Sequence, residues 1–119
     1  MFYTGIDTET AQEVVDSLIR NCWNFRKPET AEDKKKLVES WQKALDGYIY
    51  PPYVYIDAVS SWLSKAKAGD APPYPGDILH HCVLVVDKIE SDPARRPALE
   101  KYRRDYARWR GEMLSGNAE

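Results

Sequence analysis

Prolines punctuate this chain at the edges of helical patterns. Eight occur, and Pro51-Pro52, Pro75 and Pro93 each stand at the head of an apolar stripe of helical period. Pro28 lies at or just past the end of another. A proline lacks the N–H that a strand ladder needs, yet suits the first turn of a helix, where that N–H has no partner anyway. The one strand-like stretch, Tyr48-Ile49-Tyr50-Pro51-Pro52-Tyr53-Val54-Tyr55, carries two prolines at its centre. It therefore reads as a link into a helix rather than a strand.

The stripes give five helices. Thr10-Ala-Gln-Glu13 has the form of a capping box, and Ala11, Val14, Val15, Leu18 and Cys22 follow it, predicting helix one over about 10–25. Thr30-Ala-Glu-Asp33 offers a second cap, and Leu37, Val38, Trp41, Ala44, Leu45 and Tyr48 predict helix two over about 31–46, closed by Gly47. Helix three starts at Pro51-Pro52, with Tyr55, Val59, Trp62 and Ala66 on one face. Helix four spans about 75–90, with Ile78, Leu79, Cys82, Val86 and Ile89 facing inward and Val83 and Val85 widening that face. Asp92-Pro93 opens helix five over about 93–114, and Ser115 to Glu119 form a polar tail. The expected fold is an all-α domain, a compact bundle of about five helices whose last helix is long and rich in Arg and aromatics. Residues 1–90 form the helical core, and 91–119 are part of that domain or appended to it.

At 119 residues the chain has room for one domain and for a core that needs no disulfide or metal. Its two cysteines, Cys22 and Cys82, fall inside apolar patterns, which points to a reducing, cytoplasmic setting. Met1 to Thr10 shows neither the basic nor the apolar part of a secretory signal. The longest apolar run, Cys82–Val86, is far too short for a membrane span.

Little in the sequence points to catalysis or to a cofactor. The glycines are scattered, with no phosphate-cradling loop. His80, His81 and Cys82 are consecutive, so on a helix they diverge and cannot share a metal. Asp77 and His81, four apart, are expected to pair at the helix end. Cys82 next to His81 has the composition of a nucleophile and base, but it sits on the apolar face, where a thiol is packing. No enzyme activity, metal or cofactor is expected.

The distribution of charge and aromatics is more informative. Residues 1–90 carry ten Lys and Arg against fourteen Asp and Glu, whereas residues 91–119 carry seven against five, with six of the seven being Arg. Aromatics make up 12% of the chain, including four Trp. Trp23, Trp41 and Trp62 fit core stripes. On helix five, Leu99, Tyr102, Tyr106, Trp109 and Met113 form a heptad seam flanked by Arg96, Arg103 and Arg110. That seam either docks on the other helices or meets a partner, and Tyr, Trp and Arg are the residues that dominate interface energies. Tyr102, Arg103, Tyr106, Trp109 and Arg110 are the candidate partner-binding residues. Self-association through Leu99, Tyr102, Tyr106, Trp109 and Met113 is the other use of the same seam. Nucleic-acid contact by stacking on Tyr102 or Tyr106 is weakened by Glu100, Asp105 and Glu112 alongside.

Residues 10–80 resemble the small phage helicase loader/inhibitor family. The matching features are Thr10-Ala-Gln-Glu13-Val14-Val15, then Leu37-Val38-Glu39-Ser40-Trp41-Gln42-Lys43-Ala44-Leu45 and the aromatic link Tyr48-Ile49-Tyr50. Ala58-Val59-Ser60-Ser61-Trp62-Leu63 and Pro72-Pro73-Tyr74-Pro75-Gly76-Asp77-Ile78 complete the pattern. The resemblance implies a helical protein without its own ATPase that binds a replicative DNA helicase and loads or inhibits it, in the host cytoplasm. It also implies a C-terminal segment that contacts the helicase; here that segment reads as a capped helix. The alternatives are a non-catalytic DNA-binding module and a host-takeover interaction protein, the latter dimeric through the C-terminal helix.

Overall fold

A computed structural model describes residues 6–48, 50–67 and 69–114. Five helices follow in order: α1 (Thr8–Asn21), α2 (Ala31–Ala44), α3 (Pro52–Lys65), α4 (Pro75–Glu90) and α5 (Arg96–Leu114). The described residues contain no strand, so the chain is an all-α bundle of five helices. Ile49 and the tail from Ser115 to Glu119 lie outside the described residues, as does the side chain of Met113.

The helix ends follow local chemistry. The Asp7 carboxylate, not the Thr10 hydroxyl, caps α1, accepting from the Thr10 N–H at 3.1 Å. The expected start at Thr10 is therefore one turn late, and Thr10 is buried inside the helix. The earlier start brings Thr8 Oγ1 to Gln42 Oε1 at 3.2 Å, while Gln42 Nε2 donates to the Ile6 carbonyl at 3.2 Å. These contacts tie the head of α1 to α2. The expected end near 25 is also corrected, because Cys22 turns extended and closes the helix after Asn21. Thr30 caps α2, accepting from the Asp33 N–H at 3.0 Å, and Gly47 beyond its end takes φ +92°, the left-handed region that suits glycine. Pro52 and Pro75 open α3 and α4 as their sequence positions predict. Asp92 accepts from the Ala94 N–H at 2.9 Å, but residues 93–95 form a turn and α5 starts at Arg96, three residues later than expected.

Each helix turns one stripe inward. Ala11, Val14, Val15 and Leu18 from α1 meet Val54, Tyr55, Ala58 and Val59 from α3, and Ile78, Cys82, Val86 and Ile89 of α4 join the same core. Val38, Trp41 and Leu45 come from the α2 side, with Phe25 edge-on to Trp41 at 6.0 Å. The helix α3 packs along α4, α1 packs on α2 and α3, and α5 rests on α4. Val85 is buried, but Val83 is 48% exposed: positions 78, 82, 85, 86 and 89 share one helical face, and 83 falls off it. The molecule measures 48 × 37 × 17 Å, a slab about two helix layers deep given interaxial distances near 10 Å.

Tyr55 is the largest fully buried side chain, and its hydroxyl finds no hydrogen-bond partner among the described residues. Burial, then the nearby Cys82, pushes the phenol far above its usual range. A buried hydroxyl without a partner costs about 1–3 kcal/mol. Tyr55→Phe should therefore fold normally and gain about 1 kcal/mol in urea denaturation. A loss of stability would mean that the hydroxyl is satisfied.

Candidate interaction surface

The helix α5 turns its seam toward the body and its arginines outward. Leu99 is buried in the common core and Tyr106 is 3% exposed. Tyr102 is half-buried, its hydroxyl pointing at the Tyr50 carbonyl at a long 3.5 Å. Trp109 is half-buried, its ring 5.6 Å from Tyr106 and tilted by 53°. Of the five candidate contact residues, Arg103 and Arg110 are exposed, Tyr102 and Trp109 are half-exposed, and Tyr106 faces in. The structure thus splits the predicted patch: it does not present all five side chains on one accessible face.

Much of the charge on this helix is locally matched. Arg103 reaches Glu90 of α4 at 3.1 Å, and Arg96 sits 3.6 Å from Glu100. Asp105 receives Lys101 at 2.6 Å and Arg108 at 3.1 Å. The Lys101 hydrogen bond, followed by the nearby positive charges, holds the Asp105 carboxyl below the usual carboxylate range. Pairs this exposed contribute little to stability, but they reduce the positive field that a polyanion would meet.

A second surface lies at the far end of α1 and α3, and sequence periodicity misplaces it. Trp23 is not in the core: it is 82% exposed, the most exposed large apolar side chain described. The cause is the chain reversal after α1. Cys22 and Phe25 both turn inward, and the Phe25 N–H donates to the Cys22 carbonyl at 3.0 Å, so Trp23 between them is pushed out. The turn is pinned, because Asn24 Nδ2 donates to the Asp70 carbonyl at 2.7 Å and Asp70 in turn accepts from the Lys67 N–H at 2.7 Å. Trp23 borders a concavity of about 230 Å³ whose other walls include Trp62, Leu63, Ala66 and Lys67. Trp62 is half-buried against the core. An exposed indole beside an apolar hollow, held on a fastened turn, is a preformed contact surface.

The histidine region is also rearranged relative to expectation. Asp77 does not pair with His81; its carboxylate accepts from the Tyr74 N–H at 2.8 Å at the head of α4. His81 Nδ1 instead lies 2.9 Å from Ser61 Oγ, because position 81 faces α3. Burial, then Lys65 and His80, lowers the His81 pKa below its ordinary 6.5. The unfolded chain therefore binds this proton more readily than the folded one. Stability from this group is present above about pH 6.5 and is lost as pH falls toward the depressed folded value. His81→Gln should flatten the loss of stability between pH 7 and pH 5 in thermal melts. An unchanged slope would remove His81 from that role.

Burial pushes the Cys82 thiol up to about 12. The folded protein should therefore resist iodoacetamide at Cys82 at pH 8 and become reactive there only when denatured, as read by mass spectrometry. Among the described residues, no three His, Cys, Asp or Glu side chains are grouped to hold a metal ion, and no helix is long and apolar enough to cross a membrane. No protein-family model, curated protein or solved structure matches the chain.

Proposed function

We propose that this protein is a non-catalytic interaction module of phage DNA replication, binding a replicative DNA helicase in the host cytoplasm and loading or restraining it. The observation that carries the interaction reading is Trp23, an indole left 82% exposed on a turn fixed by Asn24 and Asp70. Leaving that much apolar surface in water is unfavourable by roughly 25 cal/mol per Å², and a partner that covers it recovers the difference. The helicase as partner rests on the resemblance of residues 10–80. No bond need be made or broken: preferential binding to one helicase state would shift the balance between states.

A second reading is direct DNA contact by α5, favoured by the exposed Arg104 and Arg110. The internal pairing of Arg96, Lys101, Arg103 and Arg108 with carboxylates weighs against it. Binding of that kind would weaken steeply as salt rises.

Retention of purified replicative helicase on immobilised protein tests the proposal. Wild type should retain it, and Trp23→Ala or Arg103→Glu/Arg110→Glu should retain less. No retention by wild type removes the helicase as partner, leaving a host-takeover interaction as the alternative. Retention that neither variant diminishes removes both surfaces from the contact.

A further inference from the structure

Beside the apolar face on which α3 and α4 pack, an outer groove between the two helices is lined largely by polar and charged side chains. On α3, Asp57, Ser60, Ser61 and Ser64 fall at helical spacing along one stripe, and Lys65 adjoins it. On α4 the facing positions are Leu84, Val85 and Lys88, and Arg95 reaches in from the α4–α5 connection. Together they line a cavity of about 350 Å³, within the size range of small-molecule sites. Three cations and three hydroxyls face it against a single carboxylate, Asp57, whose Oδ2 is 3.5 Å from Arg95. That contact steadies the guanidinium at the rim.

The rest of the wall is organised too. Ser64 Oγ donates to the Ser61 carbonyl at 2.8 Å. Ser61 Oγ is 2.9 Å from His81 Nδ1. With the His81 proton on Nδ1, Ser61 accepts it and its own O–H is available to the cavity. Leu84 and Val85 supply an apolar floor beside the charges.

We propose that this groove binds a small phosphate-bearing anion, with Lys65, Lys88 and Arg95 matching its charge and Ser60 and Ser61 donating to its oxygens. A phosphate dianion offers several acceptors at once, which suits separated cationic arms and hydroxyls better than a planar carboxylate does. The apolar floor suits the organic part of a phosphate ester. A nucleic-acid backbone fits less well, because the lining offers only three cations and sets Asp57 among them.

The test is amide chemical-shift titration of the full chain. The probes are inorganic phosphate, ribose 5-phosphate, adenosine monophosphate, adenosine and a single-stranded DNA decamer. Saturable shifts confined to residues 57–65 and 84–95 are expected with the phosphate probes and none with adenosine. In Lys65→Gln/Lys88→Gln, whose substitutions are both exposed, affinity should fall by about tenfold or more. Tighter binding of the esters than of inorganic phosphate identifies an organic ligand, and equal binding identifies free phosphate. The proposal is overturned by the absence of saturable shifts, by shifts the double variant leaves intact, or by saturation with the decamer alone.

Discussion

Trp23→Ala is expected to leave the fold intact while removing a partner. The side chain is almost wholly in solvent, so its loss should change folding stability by no more than about 0.5 kcal/mol. If it anchors a protein interface, truncation should cost about 2 kcal/mol or more of binding, roughly a thirty-fold rise in Kd. Thermal melting alongside surface plasmon resonance with the helicase separates the two effects. A variant that melts as wild type and binds as wild type would show that the indole is a bystander, whatever the partner. The neighbouring Trp62 supplies the contrast, because it also packs on the core, so its truncation should lower melting and binding together.

Leu99→Ala carries the largest expected effect on the fold. Leu99 is 1% exposed and, among the described residues of α5, is the one in the common core. Removing three buried carbons should cost about 2–4 kcal/mol, from lost transfer free energy and the cavity left behind. The loss should appear as a lower urea midpoint and as faster amide exchange along α5. The outward face offers no comparable substitute, since the Arg103–Glu90 and Arg96–Glu100 pairs are about half exposed and are each worth at most about 1 kcal/mol. A change below about 0.5 kcal/mol would mean that α5 is not held through this residue.

How far the sequence reveals the fold depends on which force sets each feature. The starts of α3 and α4 are local events fixed by proline, and both fall where Pro52 and Pro75 predict. The start of α1 is a contest among Asp7, Thr8 and Thr10, all competent to cap. Tertiary contacts decide it, because the earlier start lets Thr8 and Ile6 engage Gln42 of α2. The inward turn of Leu99 and Tyr106 is one of the two uses a heptad seam allows, and only packing distinguishes them.

Trp23 is misread for a different reason. Extrapolating the helical period past Asn21 puts it near Leu18 and Ile19, but the helix has ended, and one extended residue at Cys22 reverses the direction of the next side chain. The only sequence hint is the cluster Asn21, Asn24 and Pro28 around it, residue types that close helices. The groove between α3 and α4 was likewise present in the sequence as Asp57, Ser60, Ser61 and Ser64, a polar stripe on a helix otherwise rich in apolar residues. Its meaning depends on Lys88 and Arg95, which approach from a distant part of the chain.

The way the helices are paired bears on how the molecule reaches this arrangement. The helices α1 and α2, α3 and α4, and α4 and α5 are neighbours along the chain as well as in space. Few distant encounters are needed during self-assembly, and topologies of this kind fold on microsecond-to-millisecond timescales. During synthesis, α1 and α2 can shield each other's greasy sides as soon as they emerge, and α3 with α4 soon after. Sticky intermediates are thus short-lived, and the chain has little time to tangle with its own kind before it is ready for use.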